Sequence, residues 1–186
     1  RQMCIRDRPT VGYLLWRGSD LVAWWRAPAA LTLDGHALHL GTRTVPYTDI
    51  ASMRHLHNRD HLLLTLHSGE RIRLRLAIWQ DAYALAEHLE DAVGGNLEAD
   101  TRRQLQAGAT VAFGPLGMNA AGLVHKGQQI PWTAIDTIRT QSDSEDMETD
   151  ETLIIVAQGK THKIDRSKIV NESVMLACLR QYLPGA

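Results

Sequence analysis

The chain has little cysteine: Cys4 and Cys178 are its two, in 186 residues. Two thiols build no disulfide framework, and neither has neighbours at zinc-ligand spacing. Such sparing use fits a reducing, cytosolic setting. A charge excess is missing too. Lys and Arg number 20 against 21 Asp and Glu, so the basic surplus of a general nucleic-acid binder is absent, although local patches can still draw an anionic surface. No apolar run reaches the ~18 residues that a membrane-crossing helix needs. There is no G-x-S-x-G elbow, phosphate-binding loop, H-E-x-x-H pair or dinucleotide fingerprint. The expectation is a chain that is not an enzyme, with no catalytic residues, no cofactor, no metal and no small-molecule substrate. The first residues also lack a starting Met. Residues 1–8 show no periodicity and resemble translated sequencing-adapter read-through. They are read as a non-native leader and set aside with Cys4, the natural N-terminus being expected upstream.

What is present is ordinary globular composition, 44% hydrophobic and 22% charged, at a length that allows one ordinary domain or two small ones. An internal repeat favours two. Val45-Pro46-Tyr47-Thr48-Asp49-Ile50-Ala51-Ser52-Met53-Arg54 matches Ile130-Pro131-Trp132-Thr133-Ala134-Ile135-Asp136-Thr137-Ile138-Arg139, with Pro, Thr, Ile and Arg identical. Upstream, Pro28 and Gly35 pair with Pro115 and Gly122 at one constant offset. Downstream, Gly69-Glu70 matches Gly159-Lys160 as a hairpin turn, and each copy then ends in a helix.

Periodicity fills in each copy. Leu31 to Leu33 and Ala37 to Leu40 read as strands around an Asp34-Gly35 turn. Leu62, Leu64 and Leu66 alternate with Leu63, Thr65 and His67, and Ile72, Leu74 and Leu76 with Arg71, Arg73 and Arg75, so one sheet face points in and the other out. The period becomes helical over Ala82, Leu85, Ala86, Leu89, Ala92 and Val93, and Gly94-Gly95 reads as the stop. Asn96 to Ala107 reads as a short connector helix closed by Gly108. In the second copy Thr110 to Phe113, Leu153 to Val156 and His162 to Ile164 are strands. Asn171 caps a final helix whose stripe is Val174, Met175, Cys178, Leu179 and Tyr182, and which Pro184 ends.

These residues carry a resemblance. Strands leading into an Ile-Pro-Trp-x-x-Ile turn and a terminal helix resemble bacterial pleckstrin-homology-like (PH-like) proteins. Residues Gly108 to Leu116, Gly122-Leu123, Ile130-Pro131-Trp132 and Lys168-Ile169-Val170-Asn171 are similar to an uncharacterised family of them. The likeness covers about residues 28 to 186, and the first copy departs with Tyr47 for Trp. It implies a seven-stranded, partly open barrel plugged by a C-terminal helix, with no activity and no catalytic residues attached. The expected fold class is therefore α+β, mainly β: two tandem PH-like partly open β-barrels, each closed by a C-terminal helix. The expected organisation is a leader (1–8), a Trp-rich N-terminal segment (9–27), module 1 (28–95), a connector helix (96–108) and module 2 (109–186). Modules of this size bury a marginal core, so the two are expected to pack on each other.

Several clusters have a functional and a plainer reading. His55, His57, His61 and His67, with Asp60, could hold a transition metal. The plainer reading, a polar hairpin face and loop, is preferred; His36, His39, His88, His125 and His162 are scattered. Arg71, Arg73 and Arg75 share one strand face, and the matching segment holds Lys160, His162, Lys163, Arg166 and Lys168. These point either to an anionic contact or to solubilising charge on an edge strand. Ser142 to Glu151 carries Asp143, Glu145, Asp146, Glu148, Asp150 and Glu151. It is read as a solvated hairpin loop, with docking on the basic strands of another copy as the alternative. Trp16, Trp24 and Trp25, beside Arg17 and Arg26, suit a membrane boundary or packing on the first barrel. Cys178 sits in an apolar stripe and is read as core.

The expected function is a non-catalytic binding or scaffold protein, cytoplasmic and tethered to the inner face of a bacterial membrane through an upstream segment. The expected partner is a protein or an anionic membrane surface, not nucleic acid; self-association is left open. The alternative is a soluble protein–protein interaction module receiving a peptide strand at a sheet edge or beside the terminal helix. The least favoured is a small metal-dependent enzyme using the His55–His67 hairpin.

Overall fold

The computed structural model of the chain describes residues 30–56, 61–79, 81–145 and 148–183. The leader, the Trp-rich segment, Pro28, His57, Asp60 and Pro184 lie outside them. The first half opens with the antiparallel meander β1 (Leu31–Leu33), β2 (Ala37–Leu40) and β3 (Arg43–Pro46). A single 3-10 turn, Tyr47–Asp49, leads into a second meander of β4 (Ile50–Leu56), β5 (His61–Leu66) and β6 (Arg71–Arg75). Another 3-10 turn, Leu76–Ile78, precedes helix α1 (Ala82–Gln106). The second half runs in the same order. It has β7 (Val111–Phe113), β8 (Leu116–Asn119), β9 (Gly122–His125) and β10 (Gln128–Pro131), then a 3-10 turn, Trp132–Ala134. There follow β11 (Ile135–Glu145), β12 (Glu148–Ala157) and β13 (Lys160–Asp165), a 3-10 turn at Arg166–Lys168, and helix α2 (Glu172–Tyr182). The protein is thus mainly β, with four small sheets and two helices. Among the described residues no strand ladder joins the two sheets of either half, so neither half is a closed barrel.

The likeness of the halves reaches individual bonds. Pro46 (φ −58°, ψ 140°) and Pro131 (φ −60°, ψ 147°) each end a strand and start a 3-10 turn. Proline suits both places because it needs no ladder partner for its nitrogen. The aromatic that follows each donates its backbone N–H back to the preceding hairpin, Tyr47 to the His36 carbonyl and Trp132 to the Ala121 carbonyl. Each half then carries a bulge at the same place, between Ile50 and Ser52 and between Ile135 and Thr137. Asp34 and Asn119 build matching turns, their side-chain oxygens accepting from the N–H groups of His36 and Ala37, and of Ala121 and Gly122. A hydrogen bond from His39, followed by the two amides, holds the Asp34 carboxyl at about 2.

These turns correct the upstream anchor. Aspartate and asparagine are the equivalent positions, so Gly35 corresponds to Ala120 and Gly122 to Ala37. Matching the two glycines misplaces the register by two residues, because side-chain acceptors at the turn, not the glycines, set it.

The halves keep separate cores. One gathers Leu31, Leu38, Tyr47, Ile50, Leu62, Leu64 and Leu74 under Leu85, Leu89 and Val93 of α1. The other gathers Phe113, Met118, Leu123, Leu153, Ile155 and Ile164 under Val174, Met175, Cys178 and Leu179 of α2. The expected helix stop and separate connector are not found. Helix α1 runs unbroken through Gly94 and Gly95 to Gln106. Its Leu97 packs against both cores and its Leu105 belongs to the second. Each helical glycine costs ~1 kcal/mol relative to alanine. The buried Gly94 lies against α2, where a Cβ would stand 4.0 Å from the Ser173 hydroxyl, and continuing the helix buries Thr101 and Leu105. One rod therefore serves both modules, and the boundary set at residue 95 falls inside it.

The acidic stretch is not a loop along its length either. Strands β11 and β12 extend through it in register, Asp143 opposite Asp150 and Glu145 opposite Glu148.

Candidate functional site

The modules meet where the edge strand β4 faces the turn before α2. Asn171 donates its backbone N–H to the Met53 carbonyl at 2.7 Å, and its side-chain Oδ1 accepts the Met53 N–H at 2.7 Å. Asn171 was expected to cap α2. It does hold the cap position, but in the left-handed conformation (φ 53°, ψ 47°) and with no side-chain capping bond. Its acceptor is spent on the other module. Beside this junction Arg166 bonds Glu172 at 2.5 Å and Glu151, both of the second half, with Glu90 of α1 adding to the negative field around it. Burial opposes the charge on Arg166, but the Glu172 and Glu151 carboxylates outweigh it and raise its pKa above the ordinary value. This corrects the reading of Arg166 as an anionic-surface contact, since its guanidinium is already occupied inside the chain. Lys168 likewise pairs with Asp165 at 3.2 Å.

Among the described residues the same edge in the second half is uncovered. Met53 pairs with Leu64, and Ile138 with Ile155. The matching bulges put Met53 and Ile138 in the same phase, so the Ile138 N–H and carbonyl face outward as those of Met53 do. Among the described residues no turn sits on them. Instead a groove of about 400 Å³ separates β11 from α2, its wall including Ile138, Arg139, Leu153, Leu176, Leu179 and Arg180. The equivalent residues of the first half are Met53, Arg54, Leu62, Ala86, Leu89 and Glu90. A groove of this form, an exposed strand edge beside an apolar helix face, accepts an extended segment.

Compared with protein-family models, curated proteins and solved structures, the chain matches none.

The basic residues divide by face. Arg71 and Arg73 are exposed and Arg75 half-buried, all three on the outer face of the β4–β5–β6 sheet, as alternation requires. Across that face Arg54, Leu63 and Arg73 form one row. The equivalent row of the second half is Arg139, Ile154 and Lys163. Lys160 stands an odd number of residues from Lys163 on the same strand and so projects to the opposite face. The repeated feature is a basic–aliphatic–basic row, not a stripe along β13.

The histidines regroup as well. His55 approaches Glu90 of α1 at 3.8 Å within the first half, and among the described residues no three His, Cys, Asp or Glu gather as metal ligands. Two histidines that look scattered in the sequence meet. His125 of β9, 6% exposed, and His162 of β13 bring their Nδ1 atoms to 3.4 Å with the rings edge to face. Their equivalents by strand register are Leu40 and Ile72. The repeat held a signal for this, two histidines at core positions of one copy, but the alignment of the strands was needed to read it. Burial, then the nearby Lys126 and His162, depress the His125 pKa. The unfolded chain therefore binds more protons than the folded one below the ordinary histidine value of about 6.5, and stability falls as pH drops through that range. Converting the pair to its counterpart, His125→Leu with His162→Ile, is expected to stabilise the protein by roughly 1 kcal/mol near pH 5 and to flatten the pH slope. Urea unfolding at neutral and mildly acid pH measures it. An unchanged slope would show that the pair does not couple to folding.

One further contact lay beyond sequence reasoning. Trp132 stacks flat on Tyr182 at 4.5 Å, tying α2 to the 3-10 turn. Cys178 is buried as expected, and its thiol pKa is pushed up by desolvation. No described helix is long and apolar enough to cross a membrane.

Proposed function

We propose that the chain is a non-catalytic binding scaffold: two PH-like modules joined as one body, the second of which offers its β11–α2 groove to an extended peptide segment. The four-plus-three strand order of the second half, closed by α2, supports the PH-like assignment. The observation that carries the function is the unequal fate of two equivalent edges. The Met53 edge is filled by the turn at Asn171, while among the described residues the Ile138 edge stands open beside Leu176 and Leu179. A strand edge left bare beside apolar side chains is an interaction surface unless it is blunted, and here two arginines frame it. Panning a phage-displayed library of random peptides on the intact chain tests this. Enrichment of one motif is expected from wild type and not from Ile138→Arg or Arg180→Glu. A library that yields no motif, or the same motif from all three proteins, would remove the groove reading.

A second reading is favoured by the duplicated row Arg54–Leu63–Arg73 and Arg139–Ile154–Lys163. The basic side chains of these rows, together with Arg71, suit an anionic membrane surface, while Ile154 between Arg139 and Lys163 is buried and takes no part. Tethering at the inner face of a bacterial membrane belongs to this reading. Co-sedimentation with phosphatidylglycerol vesicles, lost at high salt and with Arg73→Glu plus Lys163→Glu, is the expected result. Equal recovery with phosphatidylcholine vesicles, or none with either, would end it.

A further inference from the structure

The chain already contains a working example of what fills such a groove, and it carries a second, unused copy of the part that does the filling. The example is the turn at Asn171. Its equivalent in the first half is Asp81, which holds the same place before α1. The backbone angles agree closely, φ 57°, ψ 49° at Asp81 and φ 53°, ψ 47° at Asn171. Each accepts the first bond of its helix through its own carbonyl, from Leu85 and from Met175. The left-handed conformation is uncommon for residues with side chains, although Asn and Asp tolerate it best. At Asn171 it aims the side-chain oxygen at the Met53 N–H. At Asp81 it aims a carboxylate outward, with no capping bond to its own helix and with the residue exposed. Two positions on, Ser173 lies against Gly94 at the module junction. Its equivalent, Tyr83, is 81% exposed, unusual for a large side chain on a helix that otherwise buries its apolar face.

Charge makes the free turn and the free groove complementary. In the filled site the helix residue beside the groove is Glu90, and the inserted residue is a neutral asparagine. In the open site the corresponding helix residue is Arg180, joined by Arg139 on β11, and the unused turn offers an aspartate. We infer that the occupant of the β11–α2 groove is the Asp81 turn of a second copy of this chain, whose carboxylate takes the Ile138 N–H between Arg139 and Arg180 while Tyr83 covers the rim. This rests on the groove reading above and names the partner. Because the donating turn and the receiving groove are different surfaces, the contact is heterologous. It leaves one of each free at the ends and propagates head to tail.

Analytical ultracentrifugation of the full chain, with charge reversals at exposed positions, tests it. Wild type is expected to form species larger than a dimer as concentration rises, and to shorten at high salt. Asp81→Lys alone and Arg180→Glu alone are expected to be monomers with unchanged circular dichroism. Mixed in equal amounts they are expected to form dimers and nothing larger, since one keeps only a good groove and the other only a good turn. The double variant Asp81→Lys/Arg180→Glu, which keeps neither, is expected to stay monomeric, since a lysine cannot accept the Ile138 N–H. A wild type that stays monomeric at high micromolar concentration would overturn the proposal. So would variants that assemble as wild type does, or a mixture of the two that stays monomeric. Asp81→Lys keeps its groove, so panning peptides on that variant shows whether the groove reading survives a failure of self-association.

Discussion

Arg166→Ala is expected to lower the stability of the protein by about 3 kcal/mol, within the range for breaking a buried ion pair from one side. The guanidinium is 20% exposed, and its partners Glu151 and Glu172 are 22% and 13% exposed. Water can therefore screen these charges only partly. Removing the cation leaves two carboxylates facing each other near a third, Glu90, in a cleft that also holds Glu87 and Asp91. The cost is then mostly stranded negative charge, not a lost attraction, and that yields a control. Glu172→Gln placed in the Arg166→Ala background should recover part of the loss, whereas in wild type the same change should destabilise. Arg166→Lys should fall between, since a lysine keeps the charge but not the forked geometry that reaches two carboxylates. Chemical denaturation of wild type and the four variants measures this. An Arg166→Ala variant within about 0.5 kcal/mol of wild type, the range of ordinary surface substitutions, would show that the cluster is a solvated one.

Asn171→Ala is the second large effect, expected at about 2–3 kcal/mol from two separable sources. The Met53 N–H loses its acceptor in a partly buried place, which costs roughly 1–3 kcal/mol. Alanine also resists the left-handed conformation by about 1 kcal/mol. Asn171→Gly removes the first source's acceptor but relieves the second, so it should be less damaging than alanine by about that conformational amount. Asn171→Asp keeps an acceptor and should be the mildest of the three. If alanine and glycine cost the same, the backbone at 171 is not held where the Met53 contact places it. If neither costs anything, that pair of hydrogen bonds does not hold the modules together.

How far the site could be read from residues depended on whether its signal was local. Leu62, Leu64 and Leu66 alternate on a strand, and Ala82 to Val93 follow helical spacing, because side-chain direction repeats with backbone geometry. The Pro-aromatic-Thr segments could be matched because each drives the same sharp turn. The helix stop at Gly94-Gly95 failed for the converse reason. Glycine weakens a helix by a modest amount, and packing against Ser173 together with burial of Leu105 outweighs it. Asn171 looked like a cap because the local chemistry is that of a cap, and nothing nearby in sequence shows that Met53 competes for its oxygen. Arg166 looked like one more surface cation because Glu172 and Glu151 reach it only after the chain has turned back twice. The His125–His162 contact and the open groove beside Ile138 likewise join strands that are distant along the chain.

The amino-acid order by itself determined the duplication, the alternation of buried and exposed residues in each meander, and the two helical stripes. All are set by how one residue's backbone orients the next few. Only the tertiary structure decided that a single helix serves both cores, that one strand edge is capped from within while its twin is left bare among the described residues, and which charges cancel each other. Those outcomes depend on desolvation and packing between segments far apart in the chain, and such energies come into being only when the segments meet.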